Sequence, residues 1–201
     1  GHSVAGLSDV NGDGCDDIIV GAPYKNAFGG ISSSSTGQQG AAYLILGITS
    51  GTADLDLNDA DAIFTGENVN DWAGWAVGGA GDVNGDGYAD ILVGAPFEDS
   101  GGSEAGAAYI VAGSTTGPSD LILSSATSKI TGENTSDRLG YSTTTVTGIG
   151  DFNSDSYDDI LLGARENDDG GSNAGAAYLI YGSSAGIPNM SASGSDIKYT
   201  G

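Results

Sequence analysis

Apolar residues in this chain come in short runs, not long stripes. Asp17-Ile-Ile-Val20, Ile91-Leu-Val93 and Ile160-Leu-Leu162 are continuous and lie between clusters of Gly, Asn, Asp and Ser. Runs of this length fit strands covered on both faces. Further runs at 41–46, 107–112 and 176–181 are each entered through a Gly-Ala-Ala-Tyr motif. Shorter apolar segments precede these pairs, around Val4, Ala76 to Val77 and 143–146, and others follow them at 62–65, 129–131 and 197–200. Turn-forming residues stand at every junction, and no stretch longer than a few residues carries apolar positions at helical period. The pattern predicts four short strands, repeated, and no long helix.

The repetition sets the architecture. An acidic loop starts at Asp9, Asp82 and Asp151, Gly-Ala-Ala-Tyr ends at Tyr43, Tyr109 and Tyr178, and Phe64-Thr-Gly66 matches Ile130-Thr-Gly132 and Tyr199-Thr-Gly201. The chain therefore divides into three copies of a unit of about 67 residues, at 1–66, 67–132 and 133–201. The extra length of the first copy falls in 28–39, a Gly/Ser-rich stretch that reads as a flexible loop. Four strands per unit point to propeller blades. The expected fold is all-β: three four-stranded antiparallel β-propeller blades.

Each unit carries an oxygen-rich loop before its second strand. Asp9-Val-Asn11-Gly-Asp13-Gly-Cys15-Asp-Asp17 is followed by Asp82-Val-Asn84-Gly-Asp86-Gly-Tyr88-Ala-Asp90 and Asp151-Phe-Asn153-Ser-Asp155-Ser-Tyr157-Asp-Asp159. Oxygen side chains at positions one, three, five and nine of a glycine-bent loop suit a hard cation of calcium size. An EF-hand loop opens the same way but ends in a bidentate Glu at position twelve and sits between helices. Here position twelve is Val20, Val93 or Leu162, inside a strand. Dockerin-type repeats likewise lead into helices, so neither alternative fits.

Composition adds charge to this picture. There are 27 acidic and 5 basic residues, a formal charge of −22, which disfavours nucleic acid and anionic membrane as partners. Three divalent ions would reduce that charge to about −16; without them, the carboxylates of each loop repel one another and oppose folding. Cys15, at loop position seven, is the single cysteine, so no disulfide forms within the chain. No apolar stretch is long enough to span a membrane. Abundant Ser, Thr, Gly and Asn with few Lys, Arg and Cys suits a secreted protein. The chain opens in mid-pattern on Gly1, which suggests a processed piece of something longer.

With these residues in hand, the chain resembles the FG-GAP repeat family, the unit of integrin alpha-subunit β-propellers and of many secreted bacterial proteins. Gly21-Ala22-Pro23 and Gly94-Ala95-Pro96 carry the second half of the motif, which degrades to Gly163-Ala164-Arg165. The first half keeps only glycine, in Ala73-Gly74 and Leu139-Gly140. The resemblance implies one calcium ion per repeat, three in all. The implied ligands are Asp9, Asn11, Asp13, the Cys15 carbonyl and Asp17; Asp82, Asn84, Asp86, the Tyr88 carbonyl and Asp90; and Asp151, Asn153, Asp155, the Tyr157 carbonyl and Asp159. Position six needs a tight bend that Gly14 and Gly87 supply and Ser156 does not, so the third site is expected to be the weakest.

Two functional classes follow. The first is a non-catalytic extracellular module for adhesion or structural self-assembly. Three blades leave broad faces uncovered, to be completed by further copies or by further blades of a longer chain. The loops at 24–39, 97–105 and 166–174 differ most among the copies and are candidate protein- or glycan-binding sites; Glu98, Asp99, Glu104, Glu166, Asp168 and Asp169 gather in them. The second class is an accessory module of a larger secreted hydrolase. Catalysis by the chain itself is not expected, since the single histidine, His2, belongs to no triad or zinc spacing. Trp72 and Trp75 are read as blade-junction packing in preference to a sugar platform, and the phased tyrosines as core contacts. Asn134-Thr-Ser136 and Asn189-Met-Ser191 are glycosylation sequons.

Overall fold

The computed structural model describes residues 1–26, 37–48, 56–142 and 144–201. Most of the 28–39 stretch expected to be a flexible loop lies outside the described residues, as does 143 at the start of one expected strand. Strands β1 (Ser3–Gly6), β2 (Ile18–Ala22), β3 (Ala41–Ile45) and β4 (Ala62–Thr65) pair antiparallel in chain order. So do β5 (Ala76–Gly81), β6 (Asp90–Ala95), β7 (Ala107–Val111) and β9 (Ser128–Thr131), skipping the two-residue β8 (Leu121–Ile122). The third set is β10 (Val146–Gly150), β11 (Asp159–Ala164), β12 (Ala176–Ile180) and β14 (Ile197–Thr200), skipping β13 (Met190–Ser191). The chain is all-β in three propeller-like sheets that do not close into a ring.

Strands β8 and β13 were not visible in the hydrophobic pattern. Each pairs parallel with the outer strand of the preceding sheet, Leu121 opposite Phe64 and Met190 opposite Ile130. The residue before each reinforces the tie: Asp120 accepts the Ile63 amide at 2.8 Å, and Asn189 accepts the Lys129 amide at 2.8 Å. Two-residue strands offer too few side chains for a periodic signal, and polar neighbours hide them.

Packing explains why the apolar runs are continuous. One buried cluster joins Ile19, Leu44 and Phe64 of the first sheet to Val77, Ile91, Val93 and Tyr109 of the second. A second cluster joins Leu92, Ile110 and Ile130 of the middle sheet to Val146, Ile160, Leu162 and Tyr178 of the third. Alternate residues of β6 thus enter different cores, so both faces must be apolar. Burial of each such side chain contributes about 1.5–3 kcal/mol. The inner strands run so close together that a Cβ on Gly78 would stand 2.5 Å from the Val146 carbonyl oxygen, and glycine is what fits there. Among the described residues, no helix is long and apolar enough to cross a membrane.

A polar tie accompanies each junction. The link after β4 lays Glu67 against the next sheet, where it accepts the Tyr109 hydroxyl at 3.0 Å and the Lys129 ammonium at 2.7 Å. Lys129 also reaches the buried Glu98 at 2.9 Å. At the following junction Glu133 accepts the Tyr178 hydroxyl at 2.9 Å and pairs with Lys198, which also pairs with Asp169. The same links carry the buried Asp71 and Asp137. The Asp71 carboxylate accepts the Asn68 amide at 2.8 Å, but burial pushes its pKa up to about 6, with the charges of Glu98 and Glu67 adding to the rise.

A carboxyl raised in the folded state is ionised first in the unfolded chain. Its contribution to stability therefore falls as pH rises from the unfolded value to the folded one, then levels off. Urea unfolding of metal-free protein between pH 4 and pH 7 should show Asp71→Asn removing about 2 kcal/mol of that decline relative to the parent. Parallel profiles for the two proteins would mean that Asp71 ionises without penalty.

Candidate metal centre

The three acidic loops connect the first and second strands of their sheets and share one conformation. Position one is the hub. Asp9 accepts the amides of Gly12 at 2.6 Å and Gly14 at 2.7 Å, and more loosely those of Asn11 and Asp13, both at 3.2 Å. Asp82 accepts Gly85, Asp86 and Gly87 at 2.7, 3.0 and 2.8 Å. Asp151 accepts Asp155 and Ser156, both at 2.9 Å. Position three accepts the amide of position five and donates to its carboxylate, as Asn11 does with Asp13 at 3.1 and 3.0 Å. Asn84 with Asp86 and Asn153 with Asp155 repeat the arrangement.

Position nine plays a different part. Asp17, Asp90 and Asp159 are buried, and each bridges two backbone amides. Asp17 accepts Val10 at 2.8 Å and Gly47 at 2.7 Å, Asp90 accepts Val83 at 3.1 Å and Gly113 at 3.0 Å, and Asp159 accepts Phe152 at 2.8 Å and Gly182 at 2.9 Å. This carboxylate clamps the loop to the glycine beyond the third strand. Reading it only as a ligand missed that clamp, although the in-phase Gly47, Gly113 and Gly182 carried the signal.

The loops also touch one another. A Cβ on Gly12 would stand 2.7 Å from a Tyr88 ring carbon, and one on Gly85 would stand 2.6 Å from a Tyr157 ring carbon. Position four of one loop is therefore the floor for the position-seven tyrosine of the next. Backbone bonds follow the same path: the Ala89 amide donates to the Asp9 carbonyl at 3.0 Å and the Asp158 amide to the Asp82 carbonyl at 3.1 Å. Where the chain offers no neighbouring loop, the residues change, to the half-exposed Cys15 at position seven of the first loop and Ser154 at position four of the third.

Electrostatics reflect these contacts. The Gly14 amide holds the Asp9 carboxyl below its ordinary range, and the Cys15 amide does the same for Asp13. Burial pushes Asp90 up to about 6 against the pull of its two amides, and burial with the neighbouring carboxylates raises the Cys15 thiol. Four side-chain oxygens and a carbonyl in loop order fit a hard cation in kind and number, and each carboxylate keeps acceptor capacity beyond its amide bonds. The amide bonds do not draw the side chains to a common point. Among the described residues, no group of three or more His, Cys, Asp or Glu side chains is gathered so that it could hold a metal ion.

The candidate binding loops at 97–105 and 166–174 are largely self-satisfied. Glu98 is buried, Glu104 and Glu166 pair with Arg138 at 2.6 and 3.1 Å, and Asp169 pairs with Lys198. Asp99 accepts the Glu104 amide and Asp168 the Asn173 amide, closing their own loops. Trp72 and Trp75 stack at 5.3 Å and meet Phe97, Tyr141 and His2 at ring separations of 4.6, 5.1 and 4.5 Å. That cluster packs at the junctions, as expected of the two tryptophans. Asn134 and Asn189 are both exposed, and the Asn189 side-chain oxygen accepts the Lys129 amide.

Comparison with known proteins accords with this geometry. The family described as the FG-GAP repeat matches residues 1–45, 73–111 and 143–180. The chain is 35% identical over 175 residues to integrin alpha pat-2 of Caenorhabditis elegans, and 36% identical over 170 residues to integrin alpha-6 of Gallus gallus. Each match covers 82% of this chain and 13% of the relative. A phosphatidylinositol-glycan-specific phospholipase D of Dictyostelium discoideum is 31% identical over 206 residues, 96% of this chain and 21% of its own length. The chain thus spans between about one eighth and one fifth of these relatives.

The third loop makes the same backbone bends with serine in place of glycine, including the position-six bend that Ser156 was not expected to supply. Ser154 and Ser156 hold φ of 63° and 77°, the left-handed region that Gly12, Gly14, Gly85 and Gly87 occupy in the other two. Relief of such a residue is worth about 1–2 kcal/mol, reduced by the greater freedom glycine gives the unfolded chain. Ser156→Gly should raise stability by about 0.5–1 kcal/mol in urea unfolding without added metal. A loss of stability would show that the serine conformation carries no strain.

Proposed function

The chain belongs to the FG-GAP repeat family, and on that footing we propose that it is a calcium-stabilised, non-catalytic extracellular module for adhesion or structural self-assembly. The observation that carries this reading is the threefold loop: the same oxygen donors in the same order, each folded about a position-one carboxylate and anchored by a buried position-nine carboxylate. The ion would supply positive charge where three or four acids per loop crowd together. Its ligands would be Asp9, Asn11, Asp13, the Cys15 carbonyl and Asp17, with Asp82, Asn84, Asp86, the Tyr88 carbonyl and Asp90, and Asp151, Asn153, Asp155, the Tyr157 carbonyl and Asp159, in the second and third units. The units are blades at 1–66, 67–132 and 133–201. Their outer faces are completed by further blades, of a longer polypeptide or of another copy, and the 24–39, 97–105 and 166–174 loops are where a protein or glycan ligand would be taken.

Support for completion by further blades comes from unequal burial at equivalent positions. Val4 is 73% exposed, whereas Val77 and Val146 are 3% and 2% exposed. Ile18 is 47% exposed, whereas Ile91 and Ile160 are fully buried. The first blade turns toward solvent the face that the other two bury. The phospholipase match favours a second reading, an accessory module of a larger secreted hydrolase. Both readings assign no hydrolysis to these residues, and lipid phosphodiester cleavage by the purified chain would overturn both.

Calcium should raise the melting temperature and a chelator should lower it. For sites of about 0.1 mM affinity, calcium at about 1–2 mM adds roughly 1.5 kcal/mol per site. Calorimetric titration should resolve two tighter sites and a weaker third, and Ser156→Gly should narrow the gap. Coincident melting curves with calcium and with chelator would end the calcium assignment.

A further inference from the structure

The three blades place a cation over the ring of the same tyrosine, but not from the same position. Lys129 stands opposite Tyr109 in the β7–β9 pair, and Lys198 opposite Tyr178 in the β12–β14 pair. Their ammonium groups lie 5.5 and 5.4 Å from the ring centroids. In the first blade Ile63 takes the strand position opposite Tyr43. The cation comes instead from Lys25, in the turn after β2, where the other blades have Glu98 and Asn167. Its ammonium lies 4.7 Å from the Tyr43 centroid. The charge above the tyrosine is thus kept while its donor moves across the sheet.

In the second and third blades that cation and the tyrosine hydroxyl converge on one glutamate, delivered by the Thr-Gly-Glu-Asn link that follows the last strand of the preceding sheet. In the first blade, among the described residues, no carboxylate reaches Lys25 or the Tyr43 hydroxyl. Lys129, Arg138, Arg165 and Lys198 all have ion-pair partners in this strongly acidic chain. Lys25 and Tyr43 instead line an open recess of about 490 Å³ with His2, Pro23 and Tyr24. Asp56, on the same recess, is held by the amide and side chain of Asn58, at 2.9 and 2.8 Å.

We infer that the Lys25–Tyr43 recess is a carboxylate receptor, and that its ligand is the glutamate of a Thr-Gly-Glu-Asn link on a further blade. The inference rests on the reading that the first blade is completed by another blade, and it names the chemical group that completes it. A tyrosine hydroxyl and an ammonium stacked on the same ring form a charge-assisted pair of donors for one carboxylate. Such donors discriminate against the amide isostere, which brings no charge.

The test is titration of the full isotope-labelled chain, with calcium present, by the peptide Thr-Gly-Glu-Asn-Val-Asn-Asp and by its Glu→Gln form, followed through the Tyr43 ring and Lys25 side-chain signals. The glutamate peptide should move both signals and bind about tenfold tighter than the glutamine form. Lys25→Met should abolish that preference and leave the calcium-dependent melting temperature unchanged. Equal binding of the two peptides, or none at millimolar concentration, would overturn the inference. So would free glutamate or acetate binding as well as the peptide, which would make the recess a site for small carboxylates. Light scattering on the same samples separates this from the parent reading. Association of the parent chain without selectivity for the glutamate peptide removes the receptor and keeps blade completion; a monomer that selects the glutamate peptide keeps the receptor and removes self-association.

Discussion

A blade of four short strands is too thin to hold a core of its own, and every other feature of this chain answers to that constraint. Stability lies between sheets, where β6 sends alternate side chains into two separate cores. Close approach of neighbouring sheets favours glycine and alanine along the inner strands, which is why a chain with 36 glycines still forms an ordered structure. The same dependence on neighbours explains why the polar ties, the parallel two-residue strands and the loop-to-loop tyrosines all cross from one blade to the next. A blade is specified by what it presents to its neighbours at least as much as by its own strands.

Charge works against this arrangement, and local amides soften the opposition. The chain carries 27 acids, yet the loop carboxylates are surrounded by backbone donors: a single oxygen of Asp9 takes three amides. Bonds of this kind favour the ionised form and fix the loop before any cation is considered. Burial of Asp90 and Asp71 goes the other way, since two amides or one do not replace full hydration. The loop as a whole is therefore poised, with oxygens organised by amides but negative charge not cancelled. A divalent ion would act on that residual charge.

Much of this was legible in the sequence because the repeat supplied its own alignment. The twelve main strands followed from in-phase apolar runs, and the acidic loops from their own repeated motif. What stayed hidden was whatever depends on long-range contact with no local period. Strands β8 and β13 have two residues each and pair outside their own unit. The clamp by Asp17, Asp90 and Asp159 looked like one more ligand, because an aspartate at position nine satisfies both patterns. Glu98 appeared to belong to an exposed acidic loop tip, yet it is buried against Lys129. Proximity in sequence to Asp99 and Glu104 disguised a partner 31 residues away.

The differences among the copies carry more functional information than their likeness. Several departures of one blade from the others fall at an end of the array: Cys15 stands for tyrosine, Ser154 and Ser156 for glycine and Ile63 for lysine, while Lys25 stands where the others have Glu98 and Asn167. A position under the same packing demand in every blade has no reason to vary, so each departure marks a place where the demand changes. Cys15 and Ser154 sit where no loop of this chain stacks, and a small side chain is tolerated at both. Lys25 and Ile63 change together and keep a cation on the tyrosine, which random drift at a free edge would not preserve. The first blade thus retains the chemistry of a junction at a face that this chain leaves open.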